Sequence, residues 1–326
     1  MKQKLKRLLI FLLVLASVVA GKDFNTTGTT GFVFLNLPNS ARFASMGETG
    51  ITMNGAGADG IFVNPGLLAR ARNHTDLTVT HGQWYGDTQH QSMAIMQKFG
   101  NMGVLGVSLN YFNFGEIAKT RTVFPAEISN ITAGDNNLYY DLGTYTAGAY
   151  ALGLTYSRFL TLDFSFGATA KYVREMIDEH DADNILLDLG FVYNTGVGSL
   201  RIGTFLKNFG LEAEYVNEQF KMPQRLVLGI SGEVFGTLES ANYATLYIEA
   251  IHPNDAGEHI HVGIENKLLN VLFLRGGYKF GYDHENLTLG LGTDFVFKAR
   301  HLRFDLSYMN HEYLEETLRY SLSMEL

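Results

Sequence analysis

The chain has 326 residues, room for one large domain or two ordinary ones, with 46% hydrophobic and only 18% charged side chains, below the roughly 25% charged share of soluble domains. It carries 25 basic and 33 acidic residues, a net charge of −8, and no cysteine. That excludes disulfide staples, thiolate metal sites and cysteine-linked lipid, and leaves no basic stripe for nucleic acid.

Residues 1–21 read as an export signal. Lys2, Lys4, Lys6 and Arg7 form a positive start, residues 8–19 an apolar core, and Val18-Val19-Ala20 a small-residue cleavage site. Without those four cations the mature chain carries 21 basic and 33 acidic side chains, a net of −12. No later window holds about 18 consecutive apolar residues, so no internal membrane helix is expected.

Residues 22–37 show no period. Residues 41–69, ARFASMGETGITMNGAGADGIFVNPGLLA, are rich in Gly and Ala and fit neither an amphipathic helix nor an alternating strand. Asn39-Ser40 predicts the cap of a short helix through Met46, ended by Gly47. Asn64-Pro65-Gly66 predicts a turn running into one helical turn. Gly55-x-Gly57-x-x-Gly60 matches the dinucleotide fingerprint in letters only. That motif needs a preceding strand and a following helix, and here Pro65 interrupts five residues later, so a flexible Gly-rich plug is expected. Residues 22–73 are therefore read as a plug, with Met46, Gly47, Asn64, Pro65 and Gly66 as its candidate site residues.

From residue 74 the period is two. In LDFSFGATAKYVR (162–174), Leu162, Phe164, Phe166, Ala168, Ala170 and Tyr172 share one face. Asp163, Ser165, Gly167, Thr169 and Lys171 share the other. Leu105, Val107, Leu109 and Tyr111 oppose Gly106, Ser108 and Asn110 in the same way, and similar runs continue to Leu326. They amount to about fourteen strands, each long enough to cross a bilayer when tilted. Short breaks (100–103, 195–199, 299–301) alternate with long polar ones (116–140, 211–223, 252–258, 281–286). The expected fold is all-β: a transmembrane antiparallel β-barrel of about fourteen strands over 74–326, holding the N-terminal plug. A closed barrel is the only sheet that leaves no edge unpaired in lipid.

The polar face would then line the lumen. It offers Asp163, Lys171, Asp188, Arg201, Arg275, Asp294, Arg303 and Asp305, with Lys207, Glu249, Glu265, Lys279 and Arg319. Two roles are open: cross-strand pairs that hold the plug, or a selectivity lining. His252, Asp255, Glu258, His259 and His261 cluster around one loop. Exposed polar loops commonly look like this, and no metal is expected. No cofactor motif, no Gly-x-Ser-x-Gly elbow and no nucleophile–base pairing stands out, so no enzyme is expected.

Residues 41–69 resemble the opening of the PorV/PorQ family of outer-membrane proteins, which are related to FadL-type transporters of hydrophobic compounds. Further motifs follow in family order: GLTYSRFLTLDFSFGATAKYVR (153–174), DLGFVYNTGVGSLRIGTFLKNFG (188–210), MPQRLVLGIS (222–231), VGIENKLLNVLFLRGGYKFG (262–281) and LTLGLGTDF (287–295). The resemblance implies a barrel in the bacterial outer membrane, in contact with its lipid, with the N-terminal segment folded toward the lumen. In its best-known branch it implies a scaffold or shuttle in type IX-like secretion, with secreted cargo or secretion components as partners. The alternatives are a FadL-like channel for hydrophobic small molecules and a structural envelope protein.

Overall fold

A computed structural model describes residues 28–122, 139–282, 285–298, 300–311 and 315–326. The export signal expected over 1–21 lies outside them, as does most of the loop expected over 116–140.

Among the described residues, fourteen strands close into one barrel. They are β1 (Thr75–Gln83), β2 (Gln89–Lys98), β3 (Val104–Thr122), β4 (Tyr139–Phe159), β5 (Phe164–Ile177), β6 (His180–Asn194), β7 (Arg201–Phe209), β10 (Arg225–Phe235), β11 (Tyr243–Pro253), β12 (His259–Leu268), β13 (Leu272–Phe280), β14 (Leu287–Phe297), β15 (Arg300–Met309) and β16 (Thr317–Glu325). Every pairing is antiparallel between chain neighbours, except that β7 pairs β10 and β16 returns to β1. The seam is fully registered, with Asp76 opposite Glu325 and Gln83 opposite Leu318.

Two-residue alternation makes the wall two-faced. Val79, Met93, Ile95, Leu105, Val107, Leu154, Leu228, Leu274, Leu289 and Leu322 face outward and are exposed, while Thr80, Ala94, Ser108, Thr155, Glu249, Arg275 and Ser321 face inward and are buried. Exposed aromatic residues border the aliphatic band. Tyr111, Phe209, Tyr278 and Phe280 stand toward one end; Phe99, Tyr156, Phe159, Tyr193, Phe235 and Phe297 toward the other. Such girdles flank the apolar band of membrane barrels.

The breaks sort by end. Those after β2, β4, β6, β10, β12 and β14 are short and share one end; those after β3, β7, β11, β13 and β15 share the other. The break over 211–223 is not simply polar. It folds into a hairpin of β8 (Ala213–Tyr215) and β9 (Glu218–Phe220), turned by Val216 and Asn217, both at positive φ, the geometry of a type I′ turn. Ala213 and Met222 anchor it in an apolar cluster with Phe32, Phe34, Leu35 and Leu186.

The described chain starts at this long-loop end. Thr30 bridges to Lys221 beside the hairpin. Residues 41–70 are almost wholly buried inside the barrel, and the chain leaves at the short-turn end to begin β1. The expected helix is shorter than its pattern: it spans Ala41–Ala44, and Ser40 makes no cap bond. The Ser40 hydroxyl instead donates to Asp59 Oδ2 at 3.1 Å, so a contact within the plug replaces the cap. Ser45 and Met46 turn the chain, and Gly47 takes φ +67°, a conformation suited to glycine. Around Gly55–Gly60 lies a 3-10 turn, Gly57–Asp59, with no strand before it.

Candidate functional site: the seated plug and its cavities

The inner wall meets the plug at glycines. A Cβ on Gly277 would lie 2.1 Å from Gly47 N and Met46 C; one on Gly263 would lie 2.4 Å from Met46 O. A Cβ on Gly167 would lie 2.3 Å from Pro65 C and one on Gly190 1.9 Å from Asn64 Oδ1; Gly203 stands against Thr52 and Ile51, Gly229 against Ile51, and Gly290 against Ser45. Several are cross-strand partners: Gly167 with Gly190, Gly203 with Gly229, Gly263 with Gly277. Two facing residues without side chains open a slot as wide as a peptide chain. This explains the glycines on the polar face of the alternating runs. Gly66 is likewise excluded from bearing a side chain, since a Cβ there would come 2.9 Å from Gly190 O.

Polar bonds fix the register of plug on wall. Asn64 Oδ1 accepts from Gly66 N at 2.9 Å, closing the Asn-Pro-Gly turn, and its Nδ2 donates to Ile51 O at 2.8 Å and to Phe191 O at 3.3 Å. Pro65 begins the 3-10 helix Pro65–Arg70. From the wall, Glu249 Oε1 accepts Gly50 N at 2.6 Å and Ile51 N at 2.9 Å, and Thr288 Oγ1 accepts Gly47 N at 2.8 Å. Arg70 uses only neutral acceptors: Ser165 Oγ, Asn194 Oδ1, and the carbonyls of Asp163 and Val192.

Two ionic groups tie plug to wall. Arg42 donates to both Glu265 oxygens, at 3.0 and 3.1 Å. Glu265 also accepts Arg275 at 2.8 Å, and Arg275 reaches Asp305 at 2.6 Å. The result is a sealed four-membered chain with two charges of each sign. Nearer the long-loop end, Lys279 bridges Glu48 at 2.8 Å and Glu285 at 2.9 Å. Burial alone would push the Glu48 carboxyl up, but the Lys279 ammonium outweighs it and holds the group at about 2. Asp59 is the opposite case: burial, with Asp305 and Asp76 nearby, pushes it up to about 6.

Of the expected lumen residues, Lys171 and Asp188 pair at 2.8 Å, Arg275 and Asp305 belong to the four-membered chain, and Arg303 and Asp294 pair at 2.6 Å. Arg201 binds Glu233 through two bonds. Asp163 does not face the lumen. β5 begins at Phe164, leaving Asp163 exposed in the turn, where its backbone carbonyl rather than its carboxylate is used by Arg70 and Asn194. Met46 and Gly47 sit against Gly263 and Gly277 of the wall. The histidine loop is drawn apart. His252 pairs with Glu258 at the surface, Thr30 takes Asp255, and His259 stacks on Tyr282 at 4.1 Å. Among the described residues no cluster has the makings of a metal site. Arg42, Glu48 and Arg70 escaped the sequence reading. Their signal is present in hindsight: they are isolated charges in a Gly/Ala-rich stretch that otherwise carries almost none.

Cavities border the plug, and two of them differ sharply in character. The larger, about 530 Å³, lies at the short-turn end and is strongly polar, lined by Arg42, Arg72, Asp76, Lys267, Asp294, Arg303 and Glu325 around Tyr243 and Phe273. The smaller, about 70 Å³, lies between plug and wall on the long-loop side. Its lining is apolar from Leu37, Phe43, Phe62, Val63, Phe205, Val227 and Ile251, with Lys207, Arg225, Glu48 and Glu249 as its charged members. These two cations are direct cross-strand partners. Neither has an ion-pair or hydrogen-bond partner among the described residues, and Arg225 Nε is sealed from solvent. The neighbouring acids are engaged elsewhere, Glu48 by Lys279 and Glu249 by the plug amides.

No protein-family model and no curated protein matches the chain. Solved structures do. The Pseudomonas putida toluene transporter TodX aligns over 88% of this chain and 97% of its own, with a TM-score of 0.57 and 13% identity. The monoaromatic hydrocarbon channel CymD aligns over 90% and 97%, at 0.55 and 12%. A FadL homologue of Pseudomonas aeruginosa aligns over 88% and 97%, at 0.54 and 9%. The chain has a FadL-type barrel fold. That likeness covers the fold of bacterial outer-membrane channels; the PorV/PorQ resemblance finds no family match beside it.

Proposed function

We propose that this chain is an outer-membrane conduit for small molecules with an apolar body and one anionic group, gated by its N-terminal plug. One observation carries the reading: the largely apolar cavity between plug and wall bears Lys207 and Arg225, neither of them ion-paired among the described residues, while the two acids that share its lining, Glu48 and Glu249, are bound by Lys279 and by plug amides. An unpaired cation pair in an apolar site favours an anionic ligand group, because the ligand supplies the missing counter-charge. The outward aliphatic band with its aromatic borders supports a place in lipid. At about 70 Å³ the cavity holds only a few waters, so a ligand enters as the plug yields.

The test is uptake of radiolabelled decanoate into liposomes carrying the purified protein. Decanoate should enter faster than glucose, and Lys207→Gln with Arg225→Gln should slow it at least tenfold while uptake of neutral toluene stays unchanged. Equal decanoate uptake in the double variant rejects the anionic-group assignment; no uptake of either compound rejects the conduit. A scaffold role in secretion rests on the ordered PorV/PorQ-like motifs alone. Its test is recovery of cargo or secretion components with the barrel from detergent extracts.

A further inference from the structure

On the opposite side of the barrel, Arg319 presents a different problem. It lies on the inner face of β16 and is 1% exposed. Its Nε and Nη2 are sealed and unpartnered, and its guanidinium makes no ion pair among the described residues. A guanidinium does not shed its proton to escape burial. Arg70 shows how this barrel buries such a group when no acid is near: four hydrogen bonds to neutral acceptors. Arg319 has none of these. What it has is the indole face of Trp84, 4.8 Å from its Cζ, and the space left by Gly82, its cross-strand partner.

Other unmet groups gather around it. His311 stands edge-on to Trp84 at 5.7 Å. It is 5% exposed, and neither ring nitrogen has a partner. Thr317, on the same inward face of β16, has a sealed, unpartnered hydroxyl. Five of the fifteen sealed, unpartnered polar atoms among the described residues therefore belong to these three side chains. The acids whose field reaches Arg319, Glu48 and Glu285, are both bound to Lys279.

Water would satisfy the N–H groups but not the charge. We infer that a small oxyanion, a carboxylate or phosphate group, binds at Arg319 beside Trp84, with His311 and Thr317 completing its hydrogen bonds. The guanidinium fork suits two oxygens of such a group. The site is separate from the Lys207–Arg225 cavity: β16 and β10 stand about half the barrel's circumference apart.

Trp84 is the only tryptophan of the chain, so its emission reports on the cation resting on its face. Full-length protein folded in detergent micelles is titrated with sodium phosphate and with sodium acetate, at constant ionic strength made up with sodium chloride. A saturable change in emission with at least one of them is expected. Arg319→Gln should weaken it at least tenfold and His311→Gln at least threefold, each barrel checked as folded by its heat-dependent gel mobility. If Arg319→Gln does not fold, His311→Gln, which lies outside the strands, carries the comparison. A flat response to both anions in the unsubstituted protein overturns the site. So does an unchanged titration in the folded variants. A response to phosphate but not acetate identifies the phosphate group as the ligand; the converse identifies the carboxylate.

Discussion

Arg42→Gln is the sharpest test of how the plug is held. In the intact protein Arg42, Glu265, Arg275 and Asp305 form a sealed chain with two charges of each sign. Removing the Arg42 guanidinium leaves two carboxylates sharing one cation, with Glu265 1%, Arg275 4% and Asp305 0% exposed. Breaking a buried pair from one side costs about 3–5 kcal/mol, a factor of roughly 10² to 10⁴ in an equilibrium constant. Arg42 belongs to the plug and Glu265 to the wall, so much of that cost falls on plug seating. Urea unfolding of the protein in micelles gives the total, and protease cleavage within residues 42–57 of the folded barrel gives the seating share. Glu265→Gln alone should be harmful for the mirror reason. The double variant retains only Arg275 with Asp305, a balanced pair, and should be less destabilised than the sum of the singles by about 1–3 kcal/mol. Additive losses, or a plug in Arg42→Gln as protected as before, would refute the account.

Three further outcomes are expected. Gly277→Val drives a side chain into Gly47 and Met46 and should expose the plug to protease while the barrel stays folded; Gly276→Val, whose Cβ would meet nothing nearer than Leu289 at 3.8 Å, should be silent in the same digest. Asp59 titrates at about 6 in the folded protein against 3.8 ordinarily, so its stabilisation is full below about pH 4 and lost as the pH rises through 6. Plug protection should therefore be greater at pH 4.5 than at pH 7, by at most about 2 kcal/mol, and Asp59→Asn should flatten that slope in hydrogen exchange. Glu249→Ala removes the acceptor of two backbone amides at a cost of about 2–4 kcal/mol, read as faster exchange at Gly50 and Ile51 relative to amides of β5.

The wall was legible in the sequence because each strand faces two environments, and a period of two records both. The run over 162–174 reads β5 to within three residues at either end. The failures fall where that contrast stops. Asp163 continues the alternation of β5 by one residue, yet the turn begins there and the side chain escapes. The hairpin β8–β9 has strands of three residues and a left-handed turn at Val216–Asn217 without glycine, so neither period nor turn chemistry announced it. The plug had no period because it has no solvent face: its helices are four residues long, and its path is imposed by the wall. Inward charges could be read from the pattern, but their partners could not. Glu265 faces Arg275 only once the register of β12 on β13 is known, and Arg42 meets them through a fold that no local rule encodes.

The paired wall glycines have a bearing on how the two parts of this chain tolerate change. Where Gly167 and Gly277 touch the plug, they meet main-chain atoms rather than side chains. The seat is thus a mould for a backbone trajectory. At these two glycines plug substitutions that keep this trajectory leave the fit unaltered, whereas adding a single methyl group to the mould at Gly277 spoils it; at Gly190 and Gly263 the plug side chains Asn64 and Thr49 are gauged as well.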